Sequence, residues 1–393
     1  MRLTMALLAI IVASTGAHAR TFTFEGGPGG SPETPYRFVM TGDPGDRQYE
    51  VVSSAGAAFP VQAETLGRQT WGYFIVPALD PGATLELNLR QTGRKWTPEV
   101  QVHEVDGAVQ VDIRGELFTR YVTEDTPKPY CYPVIGPTGA PVTRNYPMVP
   151  GVEGEAEDHP HHMSLYFGHG EVNHRDFWAI GDDRGRTVHR EFVDLVSGPV
   201  FGSLTAVTDW VDQEGVTVCN DIRTIRFYAT RGARVMDYEV TVRADDGPVH
   251  FGDTKEGMMS FRVAGSMKVD SGGTIINSEG QTNADAWGKK ARWCDNYGPL
   301  EGETVGIAIL DAPVNLRHPT TWHVRNYGLF GANPFGLKYY LGDAAPDGTL
   351  DLAEGEEIPF RYRFVIHEGT AEEAQIDERW EYYARGFDDP AFR

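Results

Sequence analysis

Apolar and polar residues alternate with a period of two along much of the chain. Val109, Val111 and Ile113 alternate with Gln110 and Asp112. From Met236 to Arg243 the even positions are apolar and the odd ones polar, and the run from Phe360 to Ile366 opens in the same way. Successive side chains of a strand point to opposite faces, so this spacing predicts half-buried strands. Nearer the start, Arg37 to Met40, Tyr49 to Val52 and Trp71 to Val76 are shorter strand candidates. Turn-rich pieces such as Gly42-Asp43-Pro44-Gly45-Asp46 separate them, and Leu85, Leu87 and Leu89 alternate with Glu86 and Asn88. One helix is predicted, at the C-terminus. Thr370 and Glu373 form a capping box, Ile376, Trp380 and Tyr383 fall on one stripe, and Gly386 is a stop. Strands without intervening helices predict an antiparallel sandwich rather than a βαβ fold. The expected organisation is a small β-sandwich module over residues 20–100 and a larger β unit over 101–393, closed by the helix.

The first nineteen residues read as a secretory leader. Arg2 supplies the charge, Ala6 to Ala13 the apolar run, and Ala17-His18-Ala19 a small-x-small cleavage site before Arg20. Cleavage after Ala19 implies a periplasmic or secreted protein. No later run approaches the roughly 18 apolar residues of a membrane span, so no membrane-spanning segment is expected there.

The 393 residues carry 35 Lys plus Arg against 56 Asp plus Glu, a formal charge of −21, which argues against a nucleic-acid partner. Eight Trp, 45 Gly and 25 Pro suit a turn-rich extracellular β-protein that handles sugars. Cys131, Cys219 and Cys294 are too far apart for a CxxC motif. Two of them could pair in an oxidising compartment, or all three could be buried thiols. GxSxG, HExxH and P-loop motifs are absent, as is a GxGxxG leading into a βαβ unit, which excludes the commonest serine-hydrolase and nucleotide-cofactor designs.

Candidate chemistry falls in four stretches. Asp158 to Gly170 holds four of the 12 histidines: His159, His161, His162 and His169. As a strand it would put His161, Met163, Leu165 and Phe167 on one face and His162, Ser164 and Tyr166 on the other. Imidazoles serve as general acid or base, or as metal ligands, so a divalent metal at His159–His162 is an open alternative, as is a packed, hydrogen-bonded histidine belt. Asn173 and Trp178 follow, a polar group and an aromatic of the kind that holds a sugar ring. In Asp253 to Gly257, Glu256 is a candidate acid/base and Lys255 a candidate ligand for substrate oxygens, or both belong to a charged turn. Glu279, Trp287, Lys289 and Arg292 make a basic, Trp-rich stretch suited to a developing oxyanion, or else a solvated loop. Between Arg317 and Gly328 a strand would put His323, Arg325 and Tyr327 on one face, and Asn333 closes the following turn.

These segments resemble the bacterial PmoA-like domain family. The resemblance rests on Lys128-Pro129-Tyr130-Cys131-Tyr132-Pro133-Val134, on Asp158-His159-Pro160-His161-His162 with Gly168-His169-Gly170, and on Asn277 to Gln281 with Trp287-Gly288-Lys289. His318-Pro319-Thr320 to Asn333-Pro334-Phe335-Gly336 matches as well. It covers about residues 101–390. His174 stands where a small residue is usual, so no shared role is implied for it. The methane oxygenase subunit that lends the family its name is a multi-helix membrane protein, unlike this chain, and the family brings no established catalytic residues. The layout also resembles, in outline, galactose-mutarotase-like proteins: large antiparallel β-supersandwiches in which His and a carboxylate handle sugars.

The resulting expectation is a carbohydrate-processing enzyme of epimerase, lyase or glycoside-hydrolase type, acting on a neutral or oxidised sugar. His161, His162, His169, Glu256, Glu279 and His323 are its catalytic candidates. Asp158, Asn173, Trp178, Lys255, Trp287, Lys289, Arg292, Arg325 and Asn333 are its binding candidates. No cofactor is required. The alternatives are a non-catalytic sugar-binding protein and a metal-dependent oxidoreductase using the His cluster.

Overall fold

The computed structural model describes residues 20–387 apart from 43, 67 and 68. The expected leader and Asp43 of the expected turn lie outside the described residues. The chain folds as an antiparallel β-supersandwich, preceded by a small β-sandwich module and closed by a C-terminal helix.

The module has six strands in the order Thr21–Glu25, Thr84–Thr92, Gln48–Ser53, Ala58–Leu66, Gln69–Val76, Thr34–Val39. Phe22, Phe24, Phe38, Phe74 and Leu87 fill its core. The larger unit begins with strand Val100–Val105 and is built from two eight-stranded sheets. One, hereafter the open sheet, runs Thr321–Val324, Leu329–Asn333, Gly257–Arg262, Leu165–His169, Tyr130–Val134, Glu116–Val122, Ala108–Ile113, Val100–Val105. The other, the covered sheet, runs Arg186–Val196, Phe201–Val211, Thr217–Tyr228, Ala233–Arg243, Glu357–Glu368, Glu303–Asp311, Trp293–Leu300, Thr274–Asn277. Every paired strand is antiparallel, as the alternating pattern requires. The apolar positions of both sheets meet between them: Val109, Val111, Ile113, Leu165 and Phe167 from one, Met236, Tyr238, Val240, Phe360 and Phe364 from the other.

The outer side of the covered sheet is not solvent-facing. Trp71 and Tyr73 of the module and Trp380 and Tyr383 of the helix pack on it, against Phe201, Tyr228, Ala308, Leu310 and Val365. Hence Asp237, an odd and therefore outward position, is buried, and both guanidinium and carboxylate pair there: Arg363 bonds Asp237 through two nitrogens at 2.6 and 2.9 Å. The helix spans Ile376–Arg385 and buries Ile376, Trp380 and Tyr383 as one stripe. The Thr370–Glu373 box forms, at 2.8 and 3.3 Å, but it closes the turn ahead of the helix rather than its first turn. All three cysteines are free and buried. No helix among the described residues is long and apolar enough to cross a membrane.

Candidate functional site

The outer side of the open sheet carries no module. A loop from residue 135 to 164 folds over it, and one residue organises that loop. Arg144, 1% exposed, donates to the carbonyls of Tyr146, Ala156, Asp158 and His159 and to the Asp158 carboxylate at 2.6 Å. Asp158 accepts a second guanidinium, Arg262, at 2.8 Å, and Arg262 also lies 3.2 Å from Nδ1 of His162. Burial pushes the Asp158 carboxyl up, but Arg262, Arg144 and His159 outweigh it and hold it below the usual range.

The residues from His159 to Ser164 form turns, with His159 and Ser164 at positive φ, and the strand starts only at Leu165. The expected sorting of this segment into two strand faces therefore fails before Leu165. His161, His162 and Met163 all lie on the open side with Tyr166, while Leu165 and Phe167 point into the core. From there a chain of rings crosses the sheet. His161 touches His162 at 4.4 Å and Trp178 at 6.4 Å; Tyr166 lies 5.2 Å from Trp178; Trp178 stacks on His323 at 6.3 Å; His323 meets Tyr340 at 6.3 Å; Tyr340 meets Trp287 at 5.2 Å. Arg325 lies over Trp287 at 5.1 Å, and Tyr327 stacks on His159 at 5.2 Å. Glu256 pairs with Lys255 at 3.1 Å just ahead of strand Gly257–Arg262, and its charge adds to the larger effect of burial in raising the phenols of Tyr166, Tyr327 and Tyr340.

Burial sorts this cluster into a floor and a lining. His162, Tyr166, Trp178 and His323 are at most 2% exposed and make the floor. His161, Lys255, Glu256, Trp287, Arg325 and Tyr327 are partly exposed and reachable from outside. Burial, then the surrounding cations, pushes His161 down to about 4, so its imidazole is neutral at pH 7. Burial pushes His323 down to about 3 and His162 down further. Lys128 lies under the floor. It bonds the Trp178 carbonyl, faces the Tyr166 ring at 4.6 Å, and burial pushes it down to about 7.

Nine of the expected residues thus come together: Asp158, His161, His162, Trp178, Lys255, Glu256, Trp287, His323 and Arg325. Six do not. His169 points to the core side between Phe251 and Phe335 and bonds the Gly252 carbonyl at 3.0 Å. Asn173 ties a hairpin to the backbone of Pro248 and His250. Glu279 sits in the turn after strand Thr274–Asn277, in the covered sheet, and Arg292 pairs with Asp377 and Glu381 of the helix. Asn333 braces the frame through Thr254 and Tyr340 rather than facing the cleft, and Lys289 is exposed beside Trp287. Arg144, Arg262 and Tyr340 were not anticipated. Arg262 was within reach of the pattern, since it stands one residue beyond the inward Phe261.

The donor set does not suit a divalent ion as arranged. Nδ1 of His162 faces Arg262, Asp158 is shared by two guanidiniums, and His159 and His162 stack in parallel at 4.9 Å. Among the described residues no three His, Cys, Asp or Glu side chains are placed to hold a metal together.

Fold and open face together define a β-supersandwich protein with an imidazole and aromatic cluster on one outer side. Residues 108–381 match the family of unknown function DUF6807, and the chain belongs to that family. No curated protein matches the chain. Among solved structures, an alpha-mannosidase from Enterococcus faecalis V583 is similar at TM-score 0.38 and 12% identity, over 96% of this chain and 46% of that one. A protein in glycosyl hydrolase family 38 from Enterococcus faecalis is similar at the same TM-score and identity, over 96% and 48%. The chain spans about half the length of these two proteins.

Proposed function

We propose that the open face is the active site of a carbohydrate-processing enzyme that works by acid/base chemistry. The observation that carries this reading is the convergence of a neutral imidazole, His161, and a carboxylate, Glu256, on one cluster of aromatic rings. Tyr327 and Trp287 are partly exposed rings against which the CH face of a sugar packs, while Lys255 and Arg325 take its oxygens. His161 accepts a proton as general base, and Glu256 is the partner carboxylate. His162 and His323 act through their neighbours: 1% and 2% exposed, they hold the rings above them in place. Epimerisation, elimination and glycosidic cleavage all use such a pair. The expected secretion, and the kinship with PmoA-like proteins, belong to the same proposal.

A proton NMR time course of the mature protein with mono- and disaccharides, including keto-sugar glycosides, tests it. Changing anomeric or vinylic signals are expected, slowed about 10²–10⁴-fold by His161→Ala and by Glu256→Gln. Turnover at the wild-type rate in both variants would move the chemistry elsewhere. Selective line broadening without turnover would leave a binding protein, and no response at all would remove carbohydrate.

A further inference from the structure

We propose that the ligand of the open face carries a carboxylate, seated on the Arg325 guanidinium beside Trp287, so that the substrate class is an acidic sugar such as a uronate or aldonate. This rests on the carbohydrate reading above and adds what kind of carbohydrate.

The argument starts from charge matching. Arg144 and Arg262 share the Asp158 carboxylate, and Lys255 holds Glu256. The backbone of Arg325 pairs with Leu329 and Gly328, but among the described residues its guanidinium makes neither a hydrogen bond nor an ion pair and lies over the Trp287 ring. It is half-buried over Trp287, whose ring meets Tyr340 at 5.2 Å, so the guanidinium lies at the edge of the cluster. A partly desolvated guanidinium without a counter-ion is costly. The surroundings sharpen the imbalance. Lys289 and Lys290 are exposed on the Trp287 loop, and the backbone of Lys290 bridges to Thr321 at the edge of the open sheet, two residues from His323. Lys289 and Lys290 thus add exposed cations beside Trp287, against Asp285 of the same loop, on a chain of formal charge −21. Nε1 of Trp287 and Nδ1 of His323 are buried without a partner in the same place.

The geometry selects among anions. A guanidinium that lies over an indole keeps its edge of N–H donors free, and that planar fork matches the two oxygens of a carboxylate. Neutral hydroxyls can take these hydrogen bonds but leave the charge unmatched. A sulfate ester offers the same charge with tetrahedral oxygens, and is the alternative source of an anion.

The experiment is calorimetric titration of the mature protein with matched probes: glucuronate and galacturonate, the neutral parents glucose and galactose, and glucose 6-sulfate. At least one acid is expected to bind ten-fold or more tightly than its parent. That ratio falls towards one in Arg325→Gln and is partly kept in Arg325→Lys, which retains the charge and loses the fork. Parents that bind as tightly as the acids, or a ratio unchanged in Arg325→Gln, would overturn the carboxylate while leaving the carbohydrate site standing. So would a sulfate ester preferred over both acids. If neither acids nor neutral parents bind, the carbohydrate reading falls and takes this inference with it. The wild-type ratio and the Lys variant decide the matter even where the Gln variant folds poorly.

Discussion

The two outer sides of the sandwich use buried charge in opposite ways. On the covered sheet, Arg226 meets Glu64 of the module at 2.8 Å and Glu239 at 3.0 Å, and Arg363 meets Asp237 through two nitrogens. Tyr228 adds a hydrogen bond to Asp237 at 2.7 Å. The module and the helix seal these pairs from water. On the open sheet, Arg144 and Arg262 share one carboxylate, the Lys128 ammonium meets a backbone carbonyl and the Tyr166 ring, and the Arg325 guanidinium lies over the Trp287 ring. Both sides keep some buried polar atoms without partners among the described residues, Trp178, Tyr166 and His323 on the open side and one nitrogen of Arg226 on the covered side, so the difference between them lies in the pairing of the charges. Matched charge on one side is the mortar between two modules. On the other, the Arg325 guanidinium and the Lys128 ammonium have no carboxylate of their own among the described residues.

The largest expected effect lies on the covered side. Burial pushes the Asp237 carboxyl up, and Arg363 with Tyr228 outweighs it and holds it below the usual range. Removing one partner of such a pair strands the other charge, at about 3–5 kcal/mol. Asp237→Ala should therefore lower the melting temperature by roughly 5 °C in a thermal scan. A change of a degree or two would mean that the module does not seal this face.

Acid should loosen the open side first. His323 is held neutral when folded, down to about 3, against about 6.5 for a free imidazole. Below pH 6.5 the unfolded chain binds the extra proton, so stability is full above 6.5 and is lost as pH falls towards 3. At pH 5 this one group accounts for up to about 2 kcal/mol. Asp237 has the carboxylate window: its contribution is present above about 3.8 and lost below it. Melting temperature against pH should thus fall in two stages, and His323→Phe should shrink the first, which His161 and His162 share, while sparing the second. One transition centred near 4 would contradict the ordering. Activity follows the same logic. His161 is neutral down to about 4, so the acid limb of kcat/KM should sit near 4, well below the ordinary imidazole value. A limb at 6.5 would place the base elsewhere.

This contrast also explains which parts of the molecule were legible in the sequence. Period-two alternation needs only near neighbours, so Val109 to Ile113 and Met236 to Arg243 read correctly as strands. Asp237 looked like a solvent position because nothing local reveals that Trp71 and Trp380 cover it. The His161–His162 pair was visible as chemistry, but its orientation follows from the Arg144 loop, not from strand parity. Lys255, Glu256, His323 and Arg325 share a site because strands Gly257–Arg262 and Thr321–Val324 flank Leu329–Asn333, a pairing set by topology. Glu279 and Arg292 carry the same residue types and fall in the other sheet for the same reason.

The smallest expected effect is the sharpest test, because it inverts the result at Asp237. Lys128 is 2% exposed, and burial pushes it down to about 7, with Asp176 opposing that shift. Lys128→Met deletes an ammonium that has no carboxylate to strand and keeps most of the stem that packs beside Tyr166. What it loses is the bond to the Trp178 carbonyl, worth about 1 kcal/mol. What it gains is freedom from desolvating a charge, so the two nearly cancel and the melting temperature at pH 7 should stay within about 3 °C of wild type. The pH trend gives the sign. Between about 7 and 10.5 the unfolded chain holds the proton that the folded chain has released, so wild type gains stability as pH rises through that window. The Met variant has no such gain and should lose ground to wild type from pH 7 to 9. A loss at pH 7 as large as that of Asp237→Ala would show Lys128 to be matched after all, and the distinction between the two faces would fail at its most buried point.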